Sequence, residues 1–154
     1  MPNMRLFKSK NTRLEQKLRK ALFSRGFRYV LHDRYLPGSP DIVLPKYQAV
    51  IFVNGCFWHH HPCDKGQIPK TNTAYWRLKF AQNIIRDRRA RAELKKLGWR
   101  HLTVWECSLL KEEPFTFDEL IDFLECWIIS SAHSCDVSGQ RPLPILRLDI
   151  SSNF

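Results

Sequence analysis

Ten residues, Asn54-Gly-Cys-Phe-Trp-His-His-His-Pro-Cys63, bring two thiols and three imidazoles together directly behind an apolar run. Cys56, His61 and Cys63 stand at Cys-x4-His-x-Cys spacing, and Cys107 closes a later apolar run. Thiolate sulfur and imidazole nitrogen are the donors Zn²⁺ takes in tetrahedral sets, and a set of four with no vacancy is structural. These residues therefore predict a structural zinc site, against the alternative of a histidine-rich loop with unligated thiols. His59 and His60 stay outside the set, where an imidazole beside a basic groove can take a proton from water or steady a phosphate oxygen. Phe57 and Trp58, adjacent aromatics in a polar loop, either pack into the core or stack on something.

A second chemistry opens at Gly38-Ser-Pro-Asp41, where a single carboxylate begins a strand. An isolated aspartate in a cationic groove is a natural anchor for Mg²⁺ facing phosphates. Many nucleases follow Pro-Asp, about a dozen residues later, with Glu/Asp-x-Lys; here those positions read Val53-Asn54-Gly55. Val53 can still offer its backbone carbonyl to a metal, and the Asn54 amide can donate to a phosphate but carries no proton at neutral pH. Further on, Arg77, Lys79, Arg86, Arg88, Arg89 and Arg91 form the basic face of a helix, which either holds a phosphate backbone or is simply solvated. Lys79 and Asn83, one turn apart, are candidates to read base edges.

Positioning these groups requires a scaffold, and the pattern supplies one. Thr12-Arg-Leu-Glu15 is a possible capping box, followed by Leu14, Leu18, Ala21 and Leu22 at helical spacing and by Gly26, so a helix is expected over about 12–25. Phe27–His32 reads as a strand. Asp41–Leu44 and Gln48–Val53 read as adjacent covered strands, so the metal-rich loop hangs from a strand end. A helix is expected from about Thr73 to Leu97, with Tyr75, Leu78, Ala81, Ile85 and Leu94 as its apolar positions. A third buried strand follows over 99–106. The last helix starts at the capping box Thr116-Phe-Asp-Glu119, with Phe115 placed to staple against Leu120. Cys126 reads as a core residue of that helix. The fold class is therefore α/β, a central mixed sheet flanked by helices. One domain spans 1–132, with 1–11 as an arm, and 133–154 reads as an irregular tail.

Charge narrows the partner. The chain of 154 residues has 25 Lys and Arg against 15 Asp and Glu, a net +10, but the excess is uneven. Residues 1–105 hold 22 basic and 6 acidic side chains, whereas 106–154 hold 3 and 9. A cationic body of this kind attracts a polyanion and binds it in a salt-dependent way. Five cysteines leave one over from any complete set of disulfides. No apolar run approaches the ~20 residues of a membrane span. A soluble, unexported monomer without membrane contact is the expectation.

The blocks Asn3-Met4-Arg5, Leu36-Pro-Gly-Ser-Pro-Asp-Ile-Val-Leu44, Val50-Ile-Phe-Val-Asn-Gly-Cys-Phe-Trp-His-His-His-Pro-Cys63, Arg86-Asp-Arg-Arg89 and Leu97-Gly-Trp-Arg-His-Leu-Thr-Val-Trp-Glu-Cys107 resemble, in this order, the very-short-patch repair (Vsr) mismatch endonucleases. The resemblance covers about two thirds of the chain. It implies a restriction-endonuclease-like fold and Mg²⁺-dependent nicking of bacterial, nucleoid-associated DNA in the cytoplasm. The nick falls 5′ to the thymine of T:G mismatches left by deamination of 5-methylcytosine. It further implies that Asp41 binds the Mg²⁺, that His59 is catalytic and that Asp87 orients it. Glu15 then stands near the metal's waters, Cys56, His61, Cys63 and Cys107 hold zinc, and Met4, Phe57 and Trp58 wedge into the duplex. Where the family often has Thr-His, this chain has Val53-Asn54, which implies an altered rate or sequence preference. Two other readings remain on the residues: a restriction-type nuclease acting on unmismatched DNA, and a mismatch binder with an impaired centre.

Overall fold

The computed structural model describes residues 12–147. In chain order the elements are α1 (Arg13–Ser24), β1 (Val30–Leu31), β2 (Ile42–Leu44), β3 (Ala49–Asn54), α2 (Thr73–Lys96), β4 (Arg100–Trp105), α3 (Phe117–Ile129) and β5 (Cys135–Val137). They form the expected α/β arrangement, with one five-stranded sheet in the order β1-β2-β3-β4-β5. β1, β2 and β3 pair antiparallel, whereas β3–β4 and β4–β5 pair parallel, so the sheet is mixed.

The apolar strand runs arise because both faces of the sheet are covered. Ile42, Leu44, Ala49, Ile51, Leu102 and Val104 point to one side, where Leu18 and Leu22 of α1 and Leu120, Leu124 and Trp127 of α3 complete the main core. Val43, Val50 and Phe52 point to the other, against Leu94 of α2. The strict alternation of neighbours along β2 and β3 is the period of two expected for a strand. Burying one such leucine completely contributes about 1.5–3 kcal/mol, and Leu18, Leu22, Leu120 and Leu124 are all at 0% exposure.

The caps behave unequally. Thr116 and Glu119 form the full reciprocal box, at 3.1 Å and 3.0 Å, and Phe115 and Leu120 are both buried in the main core. At α1, Thr12 accepts from the Glu15 amide at 3.2 Å, but the Glu15 carboxylate is turned to Arg19 and His32 instead of back to the cap. Glu15 is thus diverted from capping, and it is buried at 2% exposure.

Four expectations are corrected. The strand expected over 27–32 shrinks to Val30–Leu31, because Phe27 turns into the main core. Cys126, expected in the core, is exposed on α3. The apolar positions expected to bury α2 are mostly on its outer side: Tyr75, Leu78, Ala81 and Ile85 are exposed, and the buried residues are Trp76, Phe80, Asn83, Ala90 and Leu94. Two of these, Trp76 and Phe80, serve the loop after β3 rather than the sheet, which shifts the buried face away from the simplest apolar period. Lastly, the segment after residue 132 is not wholly irregular. β5 adds a parallel edge to β4, and Leu143 and Leu146 pack against the main core. Arg100 braces this corner by donating to the carbonyls of Trp127, Ile128 and Ala132 at 2.9–3.0 Å, satisfying the end of α3.

His101 on β4 is a half-buried cost. Among the described residues its Nδ1 is enclosed with no hydrogen-bond partner, and burial, Arg91 and Lys95 hold the imidazole below its ordinary value of 6.5 against an opposing pull from Asp136. The unfolded chain then binds a proton that the folded chain refuses, so stability is present above about pH 6.5 and falls on acidification. Thermal melts between pH 7 and 5 should show a shallower acid loss in His101→Gln than in the native chain.

Candidate active site and metal centre

Strand pairing assembles the residues. β1 and β2 place His32 opposite Asp41, with the His32 amide donating to the Asp41 carbonyl at 3.1 Å. Across β2 and β3, the Val53 amide donates to Asp41 Oδ2 at 2.7 Å. Asp41 is thereby fixed between two strand ends at 8% exposure. Glu15, His32 and Asp41 each aim one ligand-type atom to within 4.8 Å of the others, a set that fits a divalent cation.

Asp41, Val53, Asn54 and His59 line a cleft of about 990 Å³ together with Lys79, Arg86 and Asp87 of α2. His59 Nδ1 meets Asp87 Oδ2 at 2.5 Å. That contact spends one ring nitrogen on orientation and leaves Nε2 for exchange with the cleft. Asn54 ends β3 at 6% exposure. Trp58 also borders the cleft, beside Asn83. Asn83, expected to read base edges, is buried at 4% exposure. Its amide donates to the Trp58 carbonyl at 2.8 Å and its oxygen accepts from Arg86. It therefore holds the loop to α2.

Phe57 and Trp58 are half-buried. Phe57 packs edge-on to Trp58, Trp76 and Phe80 with ring centres 5.2–5.3 Å apart, so the pair belongs to an aromatic cluster as well as to the rim. His60 is taken by structure: its ring stacks on Phe80 at 5.1 Å, and Nδ1 meets the Gly66 carbonyl at 2.6 Å. Met4 lies outside the described residues.

The thiol set forms by the parallel register. Asn54 pairs with Trp105, so Cys56 and Cys107, each two residues further on, leave the sheet side by side. Cys56, His61, Cys63 and Cys107 bring their ligand atoms within 4.8 Å of one another. Ligands about 2.3 Å from a tetrahedral zinc lie about 3.8 Å apart, and Cys107 Sγ to His61 Nδ1 is 3.7 Å. Two backbone amides already face sulfur, Cys107 N–H to Cys56 Sγ at 3.4 Å and Gly139 N–H to Cys107 Sγ at 3.3 Å. Such donors stabilise thiolate, the form a metal needs. His61 stacks on Trp105 at 4.2 Å, and burial lowers its pKa, keeping the imidazole neutral and able to ligate. Gly66 is required here, since a Cβ would sit 1.8 Å from the His61 carbonyl oxygen.

His32 and Gly139 went unread in the sequence. His32 carries a signal only once the β1–β2 register is known, and Gly139 lies beyond the motifs, next to a strand of three residues.

Lined by cations of α2 and by a buried carboxylate, the cleft suits a phosphate backbone; the class it defines is that of α/β DNA endonucleases, hydrolases of phosphodiesters. Residues 1–65 match the family model of the DNA mismatch endonuclease Vsr. The chain is 41% identical to the DNA mismatch endonuclease Vsr of Escherichia coli over 90% of its own length and 88% of that protein. It is 50% identical to the type II nicking enzyme V.NmeAIP of Neisseria meningitidis, over 66% of this chain and 72% of that one. Against the type II nicking enzyme V.XorIIP of Xanthomonas oryzae it is 49% identical, over 69% and 78%. The chain belongs to the Vsr family of DNA mismatch endonucleases. Among its described residues no helix is long and apolar enough to cross a membrane.

Proposed function

We propose that this endonuclease has the restriction-endonuclease-like fold and nicks one strand of duplex DNA 5′ to the thymine of a T:G mismatch, acting as a Mg²⁺-dependent cytoplasmic monomer. The observation that supports this best is the placement of Asp41 and the His59–Asp87 pair in the lining of one cleft, together with basic residues of α2. A divalent cation held by Asp41 and the Val53 carbonyl would supply charge neutralisation at the phosphoryl oxygens and the departing oxygen. Asp41 is held in place by the Val53 amide, which donates to Oδ2. His59, oriented through Nδ1 by Asp87, accepts the proton of the attacking water or holds a phosphate oxygen through Nε2. Lys79, Arg86 and Arg89 hold the backbone, and Asn54 donates to a phosphate where other members have histidine. Phe57 and Trp58, backed by Trp76 and Phe80, present a rigid aromatic edge that with Met4 enters the stack beside the mismatch. Zn²⁺ on Cys56, His61, Cys63 and Cys107 pins the loop that carries His59.

The test is a labelled duplex carrying one T:G pair beside its fully paired counterpart, each incubated with Mg²⁺. A nick confined to the T:G duplex is expected. Cleavage of both duplexes alike overturns mismatch specificity in favour of a restriction-type enzyme, and binding without a nick points to an impaired centre.

The His59–Asp87 pair makes a further prediction. Under single-turnover conditions Asp87→Asn should slow nicking by about 10²–10⁴-fold, the scale of general acid–base catalysis. The double variant with His59→Ala should be scarcely slower than His59→Ala alone, because the two residues act as one unit.

A further inference from the structure

Beside Asp41 stands a histidine that belongs to no motif of the sequence. We propose that His32 gives the cation site a nitrogen ligand, so that this centre binds a first-row divalent ion such as Mn²⁺ more tightly than the Mg²⁺ that supports its activity. The proposal rests on the reading of Asp41 as the cation anchor.

His32 Nε2 lies 3.0 Å from Glu15 Oε1, 3.1 Å from Glu15 Oε2 and 3.9 Å from Asp41 Oδ1. Neighbouring donors of an octahedral ion, each about 2.1–2.2 Å from it, stand about 3 Å apart. Glu15 and His32 are therefore already at ligand spacing, and Asp41 Oδ1 at 3.9 Å needs to move about 1 Å to join them. Glu15 does not need His32 to stay in place, since Arg19 holds Oε2 at 3.0 Å and Thr12 caps its amide. Val53 likewise holds Asp41 by Oδ2, so the oxygen nearest His32 is the one not bound to that amide.

The backbone points the same way. His32 has φ +49°, in the left-handed region, directly after a strand whose two residues face outward. A non-glycine residue there is strained and persists where the surroundings impose it. Here the turn directs the ring inward, onto two buried carboxylates. With its hydrogen on Nδ1 the imidazole offers the Nε2 lone pair. Mg²⁺ binds through oxygen and keeps several waters, whereas nitrogen donors favour the first-row ions.

Binding of Mn²⁺ and of Mg²⁺ to the full chain, zinc retained and DNA omitted, is measured by titration calorimetry, and spin-echo spectroscopy of bound Mn²⁺ reports coupled ¹⁴N. The native chain should bind Mn²⁺ at least about tenfold more tightly than Mg²⁺ and show a directly bound nitrogen. His32→Gln keeps an oxygen donor and the hydrogen-bonding capacity. It should lose about tenfold in Mn²⁺ affinity, on the scale of ligand-sphere changes, with Mg²⁺ altered less than about threefold and no ¹⁴N signal. Equal losses for both ions, or no ¹⁴N signal from the native chain, overturn the proposal and leave His32 a positioning residue for Glu15. Should His32→Gln fail to fold, the native spectrum still decides. Asp41→Asn separates the two readings: it should abolish binding of both ions, and retained binding would overturn the anchor itself.

Discussion

Asp41→Asn is expected to reduce nicking of a T:G duplex by about three orders of magnitude while leaving duplex affinity within a few-fold of native. The magnitude follows from the several kcal/mol that a positioned divalent ion contributes to phosphoryl transfer, at 1.36 kcal/mol per factor of ten. Affinity is spared because the phosphate-facing cations lie on α2, whereas Asp41 is held between the ends of β2 and β3. Asparagine keeps the shape and can still accept from the Val53 amide, so the strand ends stay joined. It also removes one of two buried carboxylates, Glu15 and Asp41, that face each other across His32. The melting temperature should therefore be unchanged or higher, the usual exchange of activity for stability at a strained centre. Nicking at near-native rate would overturn the assignment of Asp41. A fall of many degrees in melting temperature would show instead that activity was lost through unfolding.

That two-strand fixation explains what could and could not be seen in the chain. The covered strands β2, β3 and β4 were legible because burial on both faces writes an unbroken apolar run. The thiol set was legible because its residue types admit few other uses. Its closure through Cys107 has a simple cause, two parallel neighbours each contributing the second residue past its end. The phase of α2 was not legible. Its buried face includes Asn83, whose amide secures the Trp58 carbonyl, and omits Tyr75, Leu78 and Ile85. A helix that packs partly on a loop obeys the loop's needs, and no apolar period encodes them. β5 escaped because three residues carry too little pattern, and its pairing comes from the partner strand. Glu15 was visible as a cap but not as the neighbour of His32, since the packing of α1 against the end of β1 is a tertiary fact.

Removing the metal from the thiol set should have the largest effect on stability. The loop from Gly55 to Gly66 has few regular hydrogen bonds, among them His61 N–H to the Cys56 carbonyl at 2.9 Å and Cys63 N–H to the His61 carbonyl at 2.7 Å. Much of its remaining order depends on four ligands meeting at one point. Burial raises the Cys56 thiol, so without metal that sulfur stays neutral and its backbone donor faces a weak acceptor. Chelation, or Cys107→Ala, should cost several kcal/mol, well below the 10–16 kcal/mol of isolated zinc-finger peptides because the sheet keeps its own core. For a domain of this size that is a fall of roughly 10–15 °C in melting temperature. Because His59 rides on the same loop as Cys56 and Cys63, nicking should fail before the sheet unfolds. Limited proteolysis should then cut first between Gly55 and Gly66. Elemental analysis of the native protein should give about one zinc per chain, the stoichiometry of a closed four-ligand set. An active preparation free of zinc, with an unchanged melt, would overturn the structural-metal reading and leave the four residues as a thiol cluster.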